Sequence, residues 1–124
     1  MTELFEIKER LYRAVYPPNI MPMFWKENGR LSSAVFKDRK GLSVERGGDR
    51  REAAVLKYMR RLFSGNIISI TVGECYECRA KVRYLPSYRS QYHSEIHGSD
   101  DKKLLSQTQC KYLADRAIIL FESV

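Results

Sequence analysis

NIISITVGECYECRAKVRY, running from Asn66 to Tyr84, is the stretch whose reading decides the fold. Ile68, Ile70 and Val72 alternate with Ser69, Thr71 and Gly73, and Ala80, Val82 and Tyr84 alternate with Arg79, Lys81 and Arg83. A period of two marks a half-buried β-strand. Two such strands around a short polar segment predict a hairpin, and the apolar pattern sets its register. A three-residue loop at Cys75-Tyr76-Glu77 places Val72 opposite Ala80 and Ile70 opposite Val82, so that one face is apolar and the other carries Arg79, Lys81 and Arg83. A two-residue turn would set Val72 against Lys81, which a one-sided sheet does not tolerate.

Upstream, Gly65 closes a predicted helix that starts at an Asp49 N-cap, with Glu52 three residues on and Leu56, Met59 and Phe63 as its buried stripe. Leu31–Phe36 and Leu42–Glu45 read as a second hairpin around the charged turn 37–41. Residues 3–15 place Leu4, Ile7, Leu11, Tyr12 and Val15 at helical spacing, and Pro17-Pro18 stops that helix. Between them, Asn19–Lys26 reads as an extended loop packed on the core, with Trp25 in it.

Downstream, Pro86 ends the strand, and a polar stretch follows with a short strand at Tyr92–His97. The last helix has a Ser106 cap, with Gln109 completing a capping box and Leu105 stapling onto Cys110. Residues 119–122 extend that helix or form a tail strand. The fold class is α+β: a small antiparallel sheet with about three helices packed on one face, in one domain spanning residues 1–124.

The chain has 124 residues, of which 44% are hydrophobic, enough for one real core. No apolar run approaches the roughly 18 residues of a membrane helix. The N-terminus lacks the basic start and apolar core of a secretion signal, so a cytoplasmic location is expected. Three cysteines, Cys75, Cys78 and Cys110, are an odd count that argues against a disulfide framework and for free thiols. The net charge of +7 raises the odds of a polyanionic partner such as nucleic acid or an acidic protein, with ordinary solubility charge as the plain alternative.

Four constellations could carry chemistry. Cys75-x-x-Cys78, followed after fourteen residues by His93-x-x-x-His97, resembles a zinc finger in spacing. Cys75, Cys78, His93 and His97 would then be the zinc ligands, although Pro86 interrupts the intervening segment and 92–98 has no helical period. The plain alternative is two ordinary thiols and two solvent-facing imidazoles.

If 92–97 is a strand, its alternation puts His93, Glu95 and His97 on one face, able to bind a transition metal or to act as a general acid and base. A polar edge strand is the plain alternative.

The third constellation is Arg13 in Leu11-Tyr12-Arg13, Ser32-Ser33, and Glu95. In these it resembles ADP-ribosyltransferases of the Arg-Ser-Glu type, which pair an early arginine with a serine-rich strand and a late glutamate. The resemblance implies that Arg13 holds cofactor phosphates and Glu95 orients the nucleophile. The family's Ser-Thr-Ser and Glu-x-Glu forms are absent here, and the chain is short for the family.

The fourth is the basic surface. On the middle helix Arg50, Lys57 and Arg61 should share a face, with Arg60 nearby, and Arg79, Lys81 and Arg83 share the solvent face of the hairpin. Tyr84, Tyr88, Arg89 and Tyr92 mix aromatic and cationic side chains in a way that suits phosphates and bases. Arg46-Gly47-Gly48-Asp49 is too short for a phosphate loop.

The first expectation is therefore a small basic binding or accessory domain with an anionic partner, nucleic acid foremost. The second is a small enzyme centred on His93, Glu95 and His97, metal-dependent or ADP-ribosyltransferase-like. The third is a protein-interaction module using the Trp25 region.

Overall fold

The computed structural model describes residues 4–122. Among them the chain forms one six-stranded antiparallel sheet and three α-helices, an α+β domain. In chain order the elements are β1 (Arg10–Val15), β2 (Leu42–Arg46), α1 (Glu52–Leu62), β3 (Asn66–Thr71), α2 (Val72–Glu77), β4 (Lys81–Tyr84), β5 (His93–His97), α3 (Gln107–Arg116) and β6 (Ile118–Phe121). The strand order is β4-β5-β2-β1-β3-β6. Among the described residues no helix is long and apolar enough to cross a membrane.

The two strands of the 66–84 stretch exist but do not pair with each other. β3 lies between β1 and β6, and β4 is an edge strand paired with β5. The expected loop is helix α2, so Val72 does not face Ala80. Thr71 and Glu74 form a capping box that starts this helix: Thr71 Oγ1 accepts from Glu74 N at 3.1 Å, and Glu74 Oε1 accepts from Thr71 N at 2.8 Å. The T-x-x-E signal turns the chain out of the sheet, so β3 and β4 end up far apart in strand order.

The N-terminal segment is also corrected, from helix to strand. β1 is central, flanked by β2 and β3, so its apolar residues are buried on both faces. Leu11 and Tyr12 point to opposite faces and are both buried, which imitates helical spacing. Leu31–Phe36 is no strand either. Ser32 caps a short 3-10 helix at Ser33–Phe36 that drives Val35 and Phe36 into the core. α1 begins at Glu52, without a side-chain cap, rather than at Asp49, and Phe63 beyond its end is half exposed. β5 and α3 form where expected, and α3 carries the Ser106–Gln109 capping box. The tail is the strand β6.

The helices divide between the two faces. Residues of α2 and α3 join Leu11, Val44, Ile68, Ile70 and Ile96 in the main core. Val55 and Met59 of α1 pack on Tyr12 and Ile67, on the opposite face. α1 covers only the β1–β3–β6 half of that face. The β2, β5 and β4 half is left for polar side chains.

The N-terminal segment is pinned by Arg46, buried to 1% exposure. Its Nε and Nη2 donate to Glu9 Oε2 and Oε1 at 2.6 and 2.7 Å, and its guanidinium lies 4.1 Å from the Phe5 ring centre and 4.9 Å from that of Tyr84.

Candidate active site

β1 and β2 pair at Leu11–Arg46 and Tyr12–Glu45 and then part. The Arg13 guanidinium occupies the gap, where Nη1 donates to the Ser43 carbonyl at 2.8 Å. Burial lowers its pKa from the ordinary arginine value, and the Asp38 charge opposes that shift. The gap opens into a cleft of about 400 Å³ beside the end of α1. Arg13, Ser43, Glu45, Ser64 and His93 supply its polar lining, the Glu45 carboxylate being held by Arg50, and Tyr16, Met59, Leu62 and Phe63 an apolar wall. Tyr16, Leu62 and Phe63 are each about half exposed, at 52%, 56% and 50%.

On the open half of the sheet the register lays side chains out in rows. Ser43 stands opposite Glu95, which stands opposite Arg83. Along β5, His97 stands opposite Lys81, and Glu45 opposite His93. The expectation that His93, Glu95 and His97 share a face holds, by strand alternation.

His97 Nε2 lies 2.8 Å from Glu95 Oε1, and both side chains are largely buried. Since carboxylate oxygens accept, Nε2 carries the proton. Gly41 makes room for this pair: its φ is +96°, and a Cβ there would come within 2.5 Å of Glu95 Oε1. His93 Nδ1 lies 2.8 Å from the Leu85 carbonyl, which can only accept, so Nδ1 donates there, and Nε2 lies 3.4 Å from Ser43 Oγ.

The four proposed zinc ligands are not brought together. Cys75 is buried in the main core, on the face opposite His93 and His97, and the two histidines are four residues apart on a strand, about 13 Å. No group of three or more His, Cys, Asp or Glu among the described residues is arranged to hold a metal. Burial raises the pKa of all three thiols, and all three are free.

The basic candidates fall into two groups. Arg50 precedes α1 rather than lying on it, pairs with Glu45 at 2.9 Å and stacks 3.5 Å over Tyr92. Lys57, Arg60 and Arg61 are exposed on α1, with Arg60 over Phe121 at 4.1 Å. Arg79, Lys81 and Arg83 are exposed at and along the β4 edge, and Arg83 pairs with Asp100 at 2.7 Å. Trp25 is half-buried and donates to the Tyr16 carbonyl at 2.8 Å.

No family model, no curated protein and no solved structure matches this chain.

Of the Arg-Ser-Glu candidates, Arg13 and Glu95 lie on either side of β2: Arg13 springs from the face of Leu11 and Val15 and reaches the cleft through the gap, whereas Glu95 is on the opposite face and does not line the cleft. Ser32 and Ser33 do not: Ser32 caps the 3-10 helix and donates to the Met23 carbonyl, and Ser33 accepts from Gln107. The serine between Arg13 and Glu95 is Ser43. Sequence reading missed it because nothing in Gly41-Leu42-Ser43-Val44 signals that β2 pairs with β5. Tyr16 and Phe63 were missed as well; their signal is exposure of large aromatics at the ends of elements, which only the fold reveals.

The arrangement offers a cation and an apolar wall in one cleft. A carboxylate stands one strand beyond, with Oε1 held by His97. A cation beside an apolar wall can hold a ligand that joins an anionic group to an apolar or aromatic part.

Proposed function

We propose that this chain is a small enzyme of the ADP-ribosyltransferase kind, cleaving the nicotinamide–ribose bond of NAD in the cleft beside α1. One observation carries the reading. Arg13, Ser43 and Glu95 lie on the adjacent strands β1, β2 and β5, with Arg13 bonded to the Ser43 carbonyl and Ser43 opposite Glu95. These are the residue types, in the chain order, of the Arg-Ser-Glu pattern that the sequence resembles.

Arg13 makes one protein hydrogen bond through its fork and has donors left for the phosphates. Half-exposed Tyr16 and Phe63 are the aromatic side chains of the cleft wall available to the nicotinamide or adenine. As the C–N bond breaks, its electron pair goes to the nicotinamide nitrogen and cancels the ring's positive charge, leaving a cationic ribose C1′. A carboxylate next to such a centre stabilises it and takes the proton of the attacking nucleophile. Glu95 has that role, with His97 as a positioning residue that holds it through Oε1. His93 stands where the family has the first glutamate of Glu-x-Glu, so the group two residues before Glu95 contributes no second negative charge.

The test is direct. Purified protein is incubated with NAD, nicotinamide release is followed by chromatography, and binding is measured calorimetrically. Release by the wild type that is lost in Glu95→Gln supports the reading. An absence of both binding and release at millimolar NAD sinks it.

A further inference from the structure

We infer that the acceptor of the transferred group is a nucleic-acid strand lying along β4. The inference rests on the ADP-ribosyl-transfer reading of the cleft. On one side Glu95 stands opposite Ser43, which lines the cleft, and on the other it stands opposite β4. There Arg83 is directly opposite Glu95, and Lys81 directly opposite His97. Residues facing each other across antiparallel strands have Cβ atoms about 4.5–5.5 Å apart. Lys81 and Arg83 are exposed, and as second neighbours on a strand they are about 6.6 Å apart along it. That spacing lets each cation meet a different phosphate of one strand.

The same edge continues the pattern at both ends. Arg79 is exposed just before β4, and Tyr88, in the loop that leaves it, is 93% exposed beside Arg89. An exposed aromatic ring next to cations is a platform for base stacking, which an acidic protein surface would not use. Two carboxylates oppose these cations, Glu95 across the strands from Arg83 and Asp100 paired with Arg83. Both partners are exposed, so that pair is weak and a phosphate can replace the carboxylate. The chain's net charge of +7 adds general attraction.

Glu95 narrows the nucleophile. A base that accepts a proton serves an attacking group that carries one, a base amine or a sugar hydroxyl. A terminal phosphate oxyanion has no such proton and is repelled by the carboxylate. Transfer forms the bond between C1′ and the amine nitrogen or hydroxyl oxygen. The proton passes to Glu95 and then to water, and nicotinamide leaves.

The experiment incubates the full chain with adenine-labelled NAD and short single-stranded DNA or RNA, with poly-glutamate as the protein-like polyanion. Salt is set at about 50 and about 200 mM, a range over which phosphate contacts weaken strongly. The expected result is an oligonucleotide heavier by one ADP-ribosyl group, in a yield that falls with salt. The double substitution Lys81→Glu, Arg83→Glu should lower this transfer roughly tenfold more than it lowers nicotinamide release. Tyr88→Ala, at a site with no packing role, should lower transfer in the same direction.

Nicotinamide release with an unmodified oligonucleotide, the label ending in free ADP-ribose, on poly-glutamate or on the protein itself, would overturn the acceptor and leave the cleft reading standing. No release with any acceptor overturns both.

Discussion

Arg13 and Ser43 meet where β1 and β2 have stopped pairing, through a 2.8 Å hydrogen bond from the guanidinium to the Ser43 carbonyl. A backbone carbonyl that would face its neighbour strand in a closed sheet is satisfied instead by a side chain. The gap is therefore kept open without an orphaned acceptor. Arg13→Lys retains the charge but loses the planar fork. It should weaken NAD binding by about 1.5–3 kcal/mol, or roughly ten- to a hundredfold in Kd. Calorimetry with wild type and variant checks this, and an unchanged Kd would remove Arg13 from the donor site.

Arg46 and Glu9 make the second long-range polar contact that shapes the molecule. The pair is buried and bidentate, so removing one partner strands a charge in the core. Glu9→Leu or Arg46→Leu should each cost about 3–5 kcal/mol, and the two together should cost less than the sum. Urea unfolding of the two single variants and the double variant measures it. An additive result would mean that the pair is not coupled.

Tyr12 gives the fold a defined alkaline limit. Its hydroxyl donates to Glu52 Oε1 at 3.1 Å, and burial, followed by the Glu52 charge, pushes its pKa up to about 12. A phenol whose pKa is raised on folding holds its proton more tightly in the native state. The stabilisation is fully present below the unfolded value near 10 and is lost as pH rises toward 12. Relative to Tyr12→Phe, the wild type should lose roughly 2–3 kcal/mol between about pH 9 and about pH 12. Urea midpoints of both proteins at the two pH values give the difference directly, and parallel behaviour would contradict the assignment.

What was legible in the sequence follows a physical divide. Local signals were readable: Ser106 and Gln109 announced α3, and the alternation in His93–His97 put both histidines and Glu95 on one face. Alternation also marked β3 and β4 as strands. It carries no information about which strand pairs with which, and the Thr71–Glu74 capping box that separates them went unread. β1 failed for a different reason. A central strand buried on both sides has no polar face, and Leu11 next to Tyr12 looks like one side of a helix. The site straddles this divide. Arg13 and Glu95 could be picked out as residue types, but Ser43 acquires meaning only from the β2–β5 register, a non-local pairing.

The thiols should be quiet. Cys75 and Cys110 are buried, Cys78 is half-buried, and burial raises the pKa of each. The thiolate is the reactive form, so native protein at neutral pH should label slowly at Cys78 and hardly at all at Cys75 and Cys110. All three should react at once in denaturant. Mass spectrometry of a timed labelling series checks this, and rapid native labelling of Cys110 would contradict its place in the core.

Glu95 separates a catalytic role from a structural one. Its Oε1 accepts from His97 Nε2 at 2.8 Å, and Gly41 leaves the space that the pair occupies. Glu95→Gln keeps the shape and removes the charge. If the carboxylate stabilises the ribosyl cation and takes the nucleophile's proton, nicotinamide release should fall about 10²–10⁴-fold, the range for a general base, while Kd for NAD stays within a fewfold. His97→Gln acts only through Glu95 and should lower the rate less, while changing the pH profile of the remaining activity. Gly41→Ala adds a methyl group against Glu95 Oε1 at a left-handed backbone position, so it should displace the carboxylate and reproduce part of the rate loss, with a stability cost of about 1 kcal/mol or more. Kinetics, calorimetry and thermal unfolding on these three variants keep the two roles apart. A Glu95→Gln protein that unfolds early and releases nicotinamide at the wild-type rate would make Glu95 a structural residue.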